Sequence, residues 1–104
     1  MSTITLDDRE VHVDAEGFLT EFAEWDEHLA DTLAALIGIE LTPEHWKVIQ
    51  FLRADFAAQG ATPTLRRVAT LGGVSVKEIF VLFPKKPAKK MAYIAGLPKP
   101  HGCV

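Results

Sequence analysis

The sequence predicts a mainly α protein: a small orthogonal helical bundle that begins with a β-hairpin and ends in a flexible arm. Apolar residues first alternate, then recur at helical spacing between Ser or Thr caps and Gly stops, and two prolines follow the last such segment. The 104 residues suffice for one domain with one core. We expect residues 1–17 to form the hairpin, 18–95 the helical body and 96–104 the arm.

The first element is the hairpin. Ile4 and Leu6 alternate with polar residues, as do Val11 and Val13, and the polar tetrapeptide DDRE separates the two runs. Two short alternating runs around a polar connection are typical of paired antiparallel strands.

The helical body begins with the segment FLTEFAEWDEHLADTLAALIGIE. Its apolar residues recur at helical spacing with acids on the opposite face, so we predict one helix that Gly38 ends. Thr20 or a nearby acid is the candidate N-cap.

Four further helices are predicted from caps and stops. Pro43 after Thr42 begins a long helix that Gly60 ends, and Pro at the first helical position is favourable. The next helix runs from Thr62 or Thr64 to Gly72 and Gly73, and the last from about Pro87 to Gly96. Between them, the segment VSVKEIFVLFP is short and apolar enough for a helix or a strand, and the capping box of Ser75 and Glu78 favours a helix.

The composition restricts the environment in which we expect the protein to work. A single Cys excludes an internal disulfide, and a free thiol favours a reducing compartment, so we predict a cytoplasmic protein. No apolar run approaches the roughly 20 residues that span a bilayer. The N-terminal residues lack the basic and apolar regions of a signal peptide, and we expect no membrane association.

Charge is divided unevenly along the chain. Residues 1–55 hold 13 Asp and Glu against three Lys and Arg, whereas residues 56–104 hold one acid and eight bases. This division could orient an encounter with a charged partner, or the two halves could lie against each other and neutralise.

Several site classes lack support. No two of the four His have i, i+3 or i, i+4 spacing, one Cys cannot make a zinc motif, and serine occurs only at Ser2 and Ser75. We therefore expect no metal and no bound cofactor. The segment TPTLRRVATLGGVSVKEIFVLF resembles a helix-turn-helix, but its second helix offers no Asn, Gln or Arg to read bases, so we do not expect direct nucleic-acid binding.

The C-terminal residues GLPKPHGCV form the strongest candidate site. Pro98 and Pro100 favour an extended backbone at about 3.1 Å per residue, and Gly102 adds freedom beside the thiol of Cys103. Basic residues close in sequence would favour the thiolate, and the terminal carboxylate opposes this. The alternatives are a nucleophile displayed on an arm and a frayed end with an incidental cysteine.

Four segments carry a resemblance to a known family: LTPEHWKVIQFLR (41–53), TPTLR (62–66), LFPKKPAKK (82–90) and IAGLPKPHGCV (94–104). In this order they resemble the DsrC/TusE family, which includes the dissimilatory sulfite reductase gamma subunit and the sulfur-relay protein for tRNA 2-thiouridine. The resemblance implies a helical bundle with an N-terminal hairpin.

The resemblance also implies a sulfur carrier. Its catalytic residue would be Cys103, which accepts sulfur as a persulfide from an upstream carrier and passes it to a downstream enzyme. The candidate arm residues are Gly96, Leu97, Pro98, Lys99, Pro100, His101 and Gly102. Arg66 and Lys89 are candidate contacts for the thiolate or a partner.

Two differences from the family pattern narrow the function that the resemblance implies. Ala92 stands where relatives that work with sulfite reductase carry a second Cys, so this chain cannot form their intramolecular disulfide. Lys86 replaces a usual Gly, and the stretch after Arg66 is several residues shorter than in those relatives. Both favour the single-cysteine, TusE-like branch. The acceptor stays open between a tRNA-thiolating enzyme and a sulfur-oxidation complex, and a helix-turn-helix or thiol-based regulator is the alternative function.

Overall fold

The computed structural model describes residues 2–100, and its first element is an antiparallel hairpin. Strand β1 (Ser2–Leu6) pairs with β2 (Arg9–Val13), with Ile4 opposite Val11. The predicted hairpin is confirmed, although its turn is shorter than the tetrapeptide DDRE. Only Asp7 and Asp8 connect the strands, both at positive φ (54° and 63°), as a two-residue turn that matches the strand twist requires.

The first predicted helix begins later than its apolar spacing indicated. A single 3₁₀ turn (Phe22–Glu24) comes first, Trp25 is extended, and helix α1 (Glu27–Leu36) follows. Asp26 is the N-cap, since its carboxylate accepts the backbone N–H of Leu29 at 2.8 Å. The predicted acid cap is thus confirmed, whereas Thr20 lies outside the helix.

The other four predicted helices are confirmed. They are α2 (Pro43–Gln59), α3 (Leu65–Leu71), α4 (Val76–Leu82) and α5 (Pro87–Ile94). Thr42 caps α2 with His45 in a reciprocal capping box, and Thr64 and Ser75 accept backbone N–H groups at the starts of α3 and α4.

The core consists of two clusters of buried side chains. One lies beneath the hairpin, and its members are Val11, Val13, Leu19, Leu29 and Leu33. The larger one is formed mainly by α2, α4 and α5, and it includes Ile49, Leu52, Ile79, Phe83, Met91 and Leu97. Trp25 and Tyr93 pack against both clusters, so the hairpin and the helices share one continuous interior.

The mainly α fold with an N-terminal hairpin is therefore confirmed. Within residues 2–100, no helix combines the length and apolar character needed to cross a membrane. The same residues hold no group of three or more His, Cys, Asp or Glu that could bind a metal ion. The division into hairpin, body and arm stays a prediction, but the start of the arm is more closely joined to the body than its sequence indicated.

Candidate functional site

The tail base, which we define as residues 94–100, comprises the end of α5 and the part of the predicted arm that the structure describes. Leu97 is fully buried in the larger core cluster, and Gly96 and Pro100 are buried as well, whereas Pro98 and Lys99 are exposed. The expectation that the free arm begins at Gly96 therefore places its start too early. The apolar side chain of Leu97, three residues after α5, gains more from the core than from solvent.

Helix α5 ends in a Schellman motif that directs the chain into the core. The Gly96 N–H donates to the Tyr93 carbonyl at 3.3 Å, and the Leu97 N–H donates to the Ala92 carbonyl at 3.0 Å. Gly96 adopts φ +71°, and a Cβ there would lie 2.5 Å from the Trp25 ring. Glycine is thus required both by the backbone conformation and by the close approach of the indole.

Two side chains from distant parts of the sequence satisfy the last carbonyls of α5. The Trp25 indole donates to the Ile94 carbonyl at 2.8 Å, and Arg53 on α2 donates to the Ala95 carbonyl at 3.0 Å. Such carbonyls have no partner within the helix, and a cation at a helix C-terminus is electrostatically favourable. The carbonyls of residues 91–95 therefore all have a donor.

Arg53 is itself held by aromatic rings. Its guanidinium carbon lies 3.8 Å from the centroid of Phe22 and 4.1 Å from that of Trp25, and it also donates to the Phe22 carbonyl at 2.9 Å. Burial lowers the pKa of Arg53 from its ordinary value, yet arginine stays protonated in proteins. The Trp25–Arg53 pair is therefore a rigid, charged support under the end of α5.

The exposed residues of the tail base have one contact on each side. The Thr62 hydroxyl donates to the Pro98 carbonyl at 2.7 Å, and Lys99 pairs with Glu16 at 3.0 Å. Both charged side chains are largely exposed, so this ion pair contributes little to stability. The two contacts still give the chain a defined direction as it leaves the core.

Arg66 and Lys89, the predicted basic contacts, lie in different places. Arg66 is exposed on α3 and lines a hollow of about 390 Å³ with Thr64, Arg67 and Leu71. Lys89 lines a hollow of about 290 Å³ beside Tyr93, whose pKa is raised by burial. The structure does not bring them into one hollow.

A groove links the tail base to α3. A hollow of about 130 Å³ beside Pro98 shares Thr62 with one of about 240 Å³, which in turn shares Arg67 with the hollow that Arg66 lines. Arg67 donates to both carboxylate oxygens of Asp55, at 2.8 and 2.9 Å, and these hydrogen bonds hold the pKa of Asp55 below its ordinary value. The sequence did not indicate that Arg67 pairs with Asp55, because the two residues lie on different helices.

His45 is a buried polar residue on α2. Its Nδ1 accepts the Thr42 N–H at 3.1 Å, and its Nε2 lies 2.8 Å from the Leu82 carbonyl. A carbonyl can only accept, so Nε2 carries the proton. His45 therefore ties the start of α2 to the end of α4, and both ring nitrogens are occupied by this structural role.

The candidate helix-turn-helix consists of α3 and α4. The outward face of α4 carries Val76, Phe80 and Val81, which are 43%, 48% and 72% exposed, together with Lys77. This helix exposes one cation, the carboxylate of Glu78 and apolar side chains, and none of the amide or guanidinium groups that read bases. It is suited to contact with protein more than to a nucleic-acid groove.

The other predicted site residues, His101, Gly102 and Cys103, lie outside the described residues. The structure also describes Ala92 and Lys86, the two residues at which this sequence differs from the family pattern. Ala92 is fully buried in the core, and Lys86 adopts φ +55°, a left-handed conformation that favours glycine.

Comparisons with known proteins agree with the sequence resemblance. The family described as "DsrC like protein" matches residues 5–104. The protein named sulfurtransferase TusE in Salmonella typhimurium is 39% identical over 103 residues, which cover 92% of this chain and 94% of that protein.

Solved structures give the same result. The solution structure of Allochromatium vinosum DsrC has a TM-score of 0.81 at 38% identity and covers 98% of this chain and 97% of that one. The oxidized gamma subunit of dissimilatory sulfite reductase from Archaeoglobus fulgidus also has a TM-score of 0.81 at 38% identity, covering 99% and 100% of the two chains.

Proposed function

Because this chain belongs to the family of DsrC-like proteins, we propose that it is a sulfur carrier whose reactive group is the thiol of Cys103. The observation that carries the proposal is the position of the only cysteine. Cys103 is the penultimate residue, and the family match extends to residue 104 and so includes it. A relative that covers most of this chain bears the name sulfurtransferase.

The proposed chemistry is the transfer of a sulfane sulfur between thiols. The Cys103 thiolate, after losing its proton to solvent, attacks the outer sulfur of a donor persulfide and forms a new S–S bond. The donor's S–S bond breaks, and its thiolate leaves and takes up a proton. No external oxidant or reductant is needed, because one S–S bond forms as another breaks and the transferred sulfur keeps its oxidation state.

A second transfer then unloads the carrier. A thiolate of the acceptor attacks the outer sulfur of the Cys103 persulfide and regenerates the Cys103 thiolate. One cysteine is sufficient for this cycle, and a second cysteine would be needed only for an internal disulfide. The chain thus turns over stoichiometrically between a donor and an acceptor, and its own residues supply access and orientation.

The tail base supports this role through its geometry. Leu97 is buried in the core. Thr62 binds the backbone carbonyl of Pro98, and Glu16 pairs with the side chain of Lys99. Cys103 lies five residues after Pro98, so it can reach at most about 17 Å from that anchored point at roughly 3.5 Å per residue. A thiol on a short tether can enter a partner's pocket while the helical body stays outside.

We propose as partners an upstream protein that carries a persulfide and a downstream enzyme that consumes sulfur, in a reducing compartment such as the cytoplasm. A tRNA-thiolating enzyme is the acceptor favoured by the single cysteine, and a sulfur-oxidation complex is the alternative. Loss of tRNA 2-thiouridine in a strain lacking this protein, restored by the wild type and not by Cys103→Ser, would support the first acceptor. Unchanged 2-thiouridine would support the second.

Intact mass spectrometry tests the carrier function directly. The protein is incubated with glutathione persulfide, separated from the reagent and weighed with and without reductant. We expect a reducible gain of one sulfur atom that Cys103→Ser lacks. Ser2→Cys/Cys103→Ser, which moves the only thiol to the other end of the chain, tests whether the position matters for transfer to a thiol acceptor. A wild-type protein that gains no sulfur would overturn the proposal.

A further inference from the structure

The end of α5 has an arrangement that the carrier function alone does not require. A helix terminus usually satisfies its last carbonyls through local turns or water. Here two of them accept from Trp25 and Arg53, which precede the tail base in sequence by 69 and 42 residues. The donors come from the segment before α1 and from the middle of α2, so they fix α5 relative to two other elements.

We infer that Trp25 and Arg53 are positioning residues for the thiol of Cys103. They hold the carbonyls of Ile94 and Ala95, and thereby fix the place and the direction in which the C-terminal segment leaves the core. This inference rests on the proposed function, since a fixed exit point matters when the segment delivers sulfur to a partner.

The length of the tether shows what this support contributes. With the chain held at Pro98, five residues lead to Cys103, and the thiol stays within about 17 Å of the anchor. With the chain released from Ile94 onward, which also requires Leu97 to leave the core, nine residues lead to it, and the limit rises to about 31 Å. That distance is comparable to the longest extent of the molecule, 35 Å.

A longer tether lowers the effective concentration of the thiol at any one place. For a flexible chain this concentration falls roughly as the −3/2 power of the tether length, so nine residues instead of five reduce it about 2.4-fold. Loss of direction would add to this factor, because a released chain can leave over either face of α5. The support therefore favours delivery to one side of the molecule.

The local geometry explains why both residues are needed. Arg53 is oriented by the rings of Phe22 and Trp25, and Trp25 also fills the space that a Cβ at Gly96 would occupy. A lysine at position 53 could donate to one carbonyl but has no planar group to stack on two rings. A phenylalanine at position 25 would keep a ring under the guanidinium and lose only the bond to Ile94.

The single cysteine makes the inference testable without engineered thiols. A methanethiosulfonate nitroxide is attached to Cys103, and paramagnetic broadening of backbone amide signals is mapped in the ¹⁵N-labelled full chain. In the wild type we expect broadening to be confined to amides around the tail base. In Trp25→Phe and Arg53→Met we expect the set of broadened amides to grow about twofold and to include the far side of α5.

Amide hydrogen exchange distinguishes positioning from general stability. We expect exchange at Gly96 and Leu97 to accelerate about fivefold to tenfold in the two variants, the loss of roughly one hydrogen bond, while Ile49 and Leu52 on α2 change less. Trp46→Phe is the matched control, because Trp46 also packs against the larger core cluster and lies on α2 about two helical turns before Arg53. Arg53→Lys should give an intermediate map.

The outcomes are separable from those of the proposed function. The nitroxide takes no part in sulfur transfer. Broadening that is confined to the tail base in the wild type and extends further in the variants therefore supports the inference even if glutathione persulfide adds no sulfur. An unchanged broadening map in a natively folded Trp25→Phe protein would overturn it. Equal acceleration of exchange at all four amides would also overturn it, because the residues would then be merely structural. If Arg53→Met does not fold, Trp25→Phe and Arg53→Lys decide the question.

Discussion

The tail base and the α3–α4 pair are both short segments in the second half of the chain, but different contacts hold them. The α3–α4 pair is bounded by local caps, in which Thr64 and Ser75 accept from backbone groups three residues away. The tail base is held by Trp25, Arg53 and Thr62, which are 69, 42 and 36 residues from their acceptors. Local caps define an element, whereas distant contacts define where an element lies.

The surfaces of the two segments differ accordingly. Leu71, Phe80 and Val81 of the helix pair are between 48% and 72% exposed, while Leu97 of the tail base is fully buried. Three of the four most exposed large apolar side chains among the described residues therefore lie on the segment with local support, and the fourth is Leu36 on α1. The segment that leads to the thiol has its apolar side chain in the core, which leaves its polar backbone and Lys99 to face solvent.

The largest effect that would sharpen this contrast is expected for Leu97→Ala. Removal of a fully buried leucine side chain should lower the free energy of unfolding by about 2–5 kcal/mol, through lost burial and the cavity left behind. Urea denaturation followed by circular dichroism measures the change. Leu71→Ala, at a position that is 57% exposed, is the control and should stay within about 0.5 kcal/mol. Equal losses in the two variants would contradict the contrast.

A smaller effect is expected for Gly96→Ala. The added Cβ would meet the Trp25 ring and occupy a left-handed conformation, so we expect a loss of about 1–3 kcal/mol. Gly38→Ala has nearly the same backbone strain (φ +76°) but no atom within 4 Å of the new Cβ. The difference between the two variants isolates the contact with Trp25, and thermal unfolding measures it. Equal losses of stability in the two variants would show that the Trp25 indole moves aside at no cost in free energy.

Loss of a local cap should have a smaller effect again. Ser75→Ala removes the acceptor for the Glu78 N–H and should cost about 1 kcal/mol. Because this contact lies within α4, we expect the chemical shifts of Gly96 and Leu97 to stay unchanged. Trp25→Phe should instead shift both signals. A cap variant that perturbs the tail base would show that the two segments are coupled.

The smallest expected effect is a pH dependence at the groove between the two segments. Arg67 lowers the pKa of Asp55, so the pair stabilises the fold above the unfolded pKa of about 3.9, and this contribution is lost as the pH falls through the lower folded pKa. The urea midpoint of the wild type should therefore fall more steeply between pH 5 and pH 2 than that of Asp55→Asn. Parallel curves for the two proteins would rule out the linkage.

The same contrast explains how far the sequence could predict the molecule. The spacing of apolar residues, the caps Thr42, Thr64 and Ser75, and the stop at Gly60 are local, and the helices that they bound are confirmed. The late start of α1 was missed because apolar spacing continues through Phe22 and Trp25. Only the capping bond of Asp26 and the extended backbone at Trp25 show where the helix begins.

For the candidate site, the sequence indicated the residues of the tail base but not their support. Two prolines and a terminal cysteine suggested a free arm, and the burial of Leu97 could not be inferred from neighbours in sequence. Trp25 and Arg53 resembled ordinary residues of amphipathic helices, because their acceptors are main-chain carbonyls, which every residue has. Hydrogen bonds from a side chain to a distant backbone leave no signal in sequence spacing.

The turn between α4 and α5 has a consequence for engineering the protein. Lys85 and Lys86 both hold left-handed backbone, at φ 62° and 55°, and each such conformation of an L-residue is unfavourable by about 1 kcal/mol. Replacement of Lys86 by glycine, which adopts a left-handed backbone without steric cost, should relax this turn and raise the melting temperature. Lys86 thus places a strained backbone and a cation at the start of the last helix, where the helix dipole disfavours a positive charge.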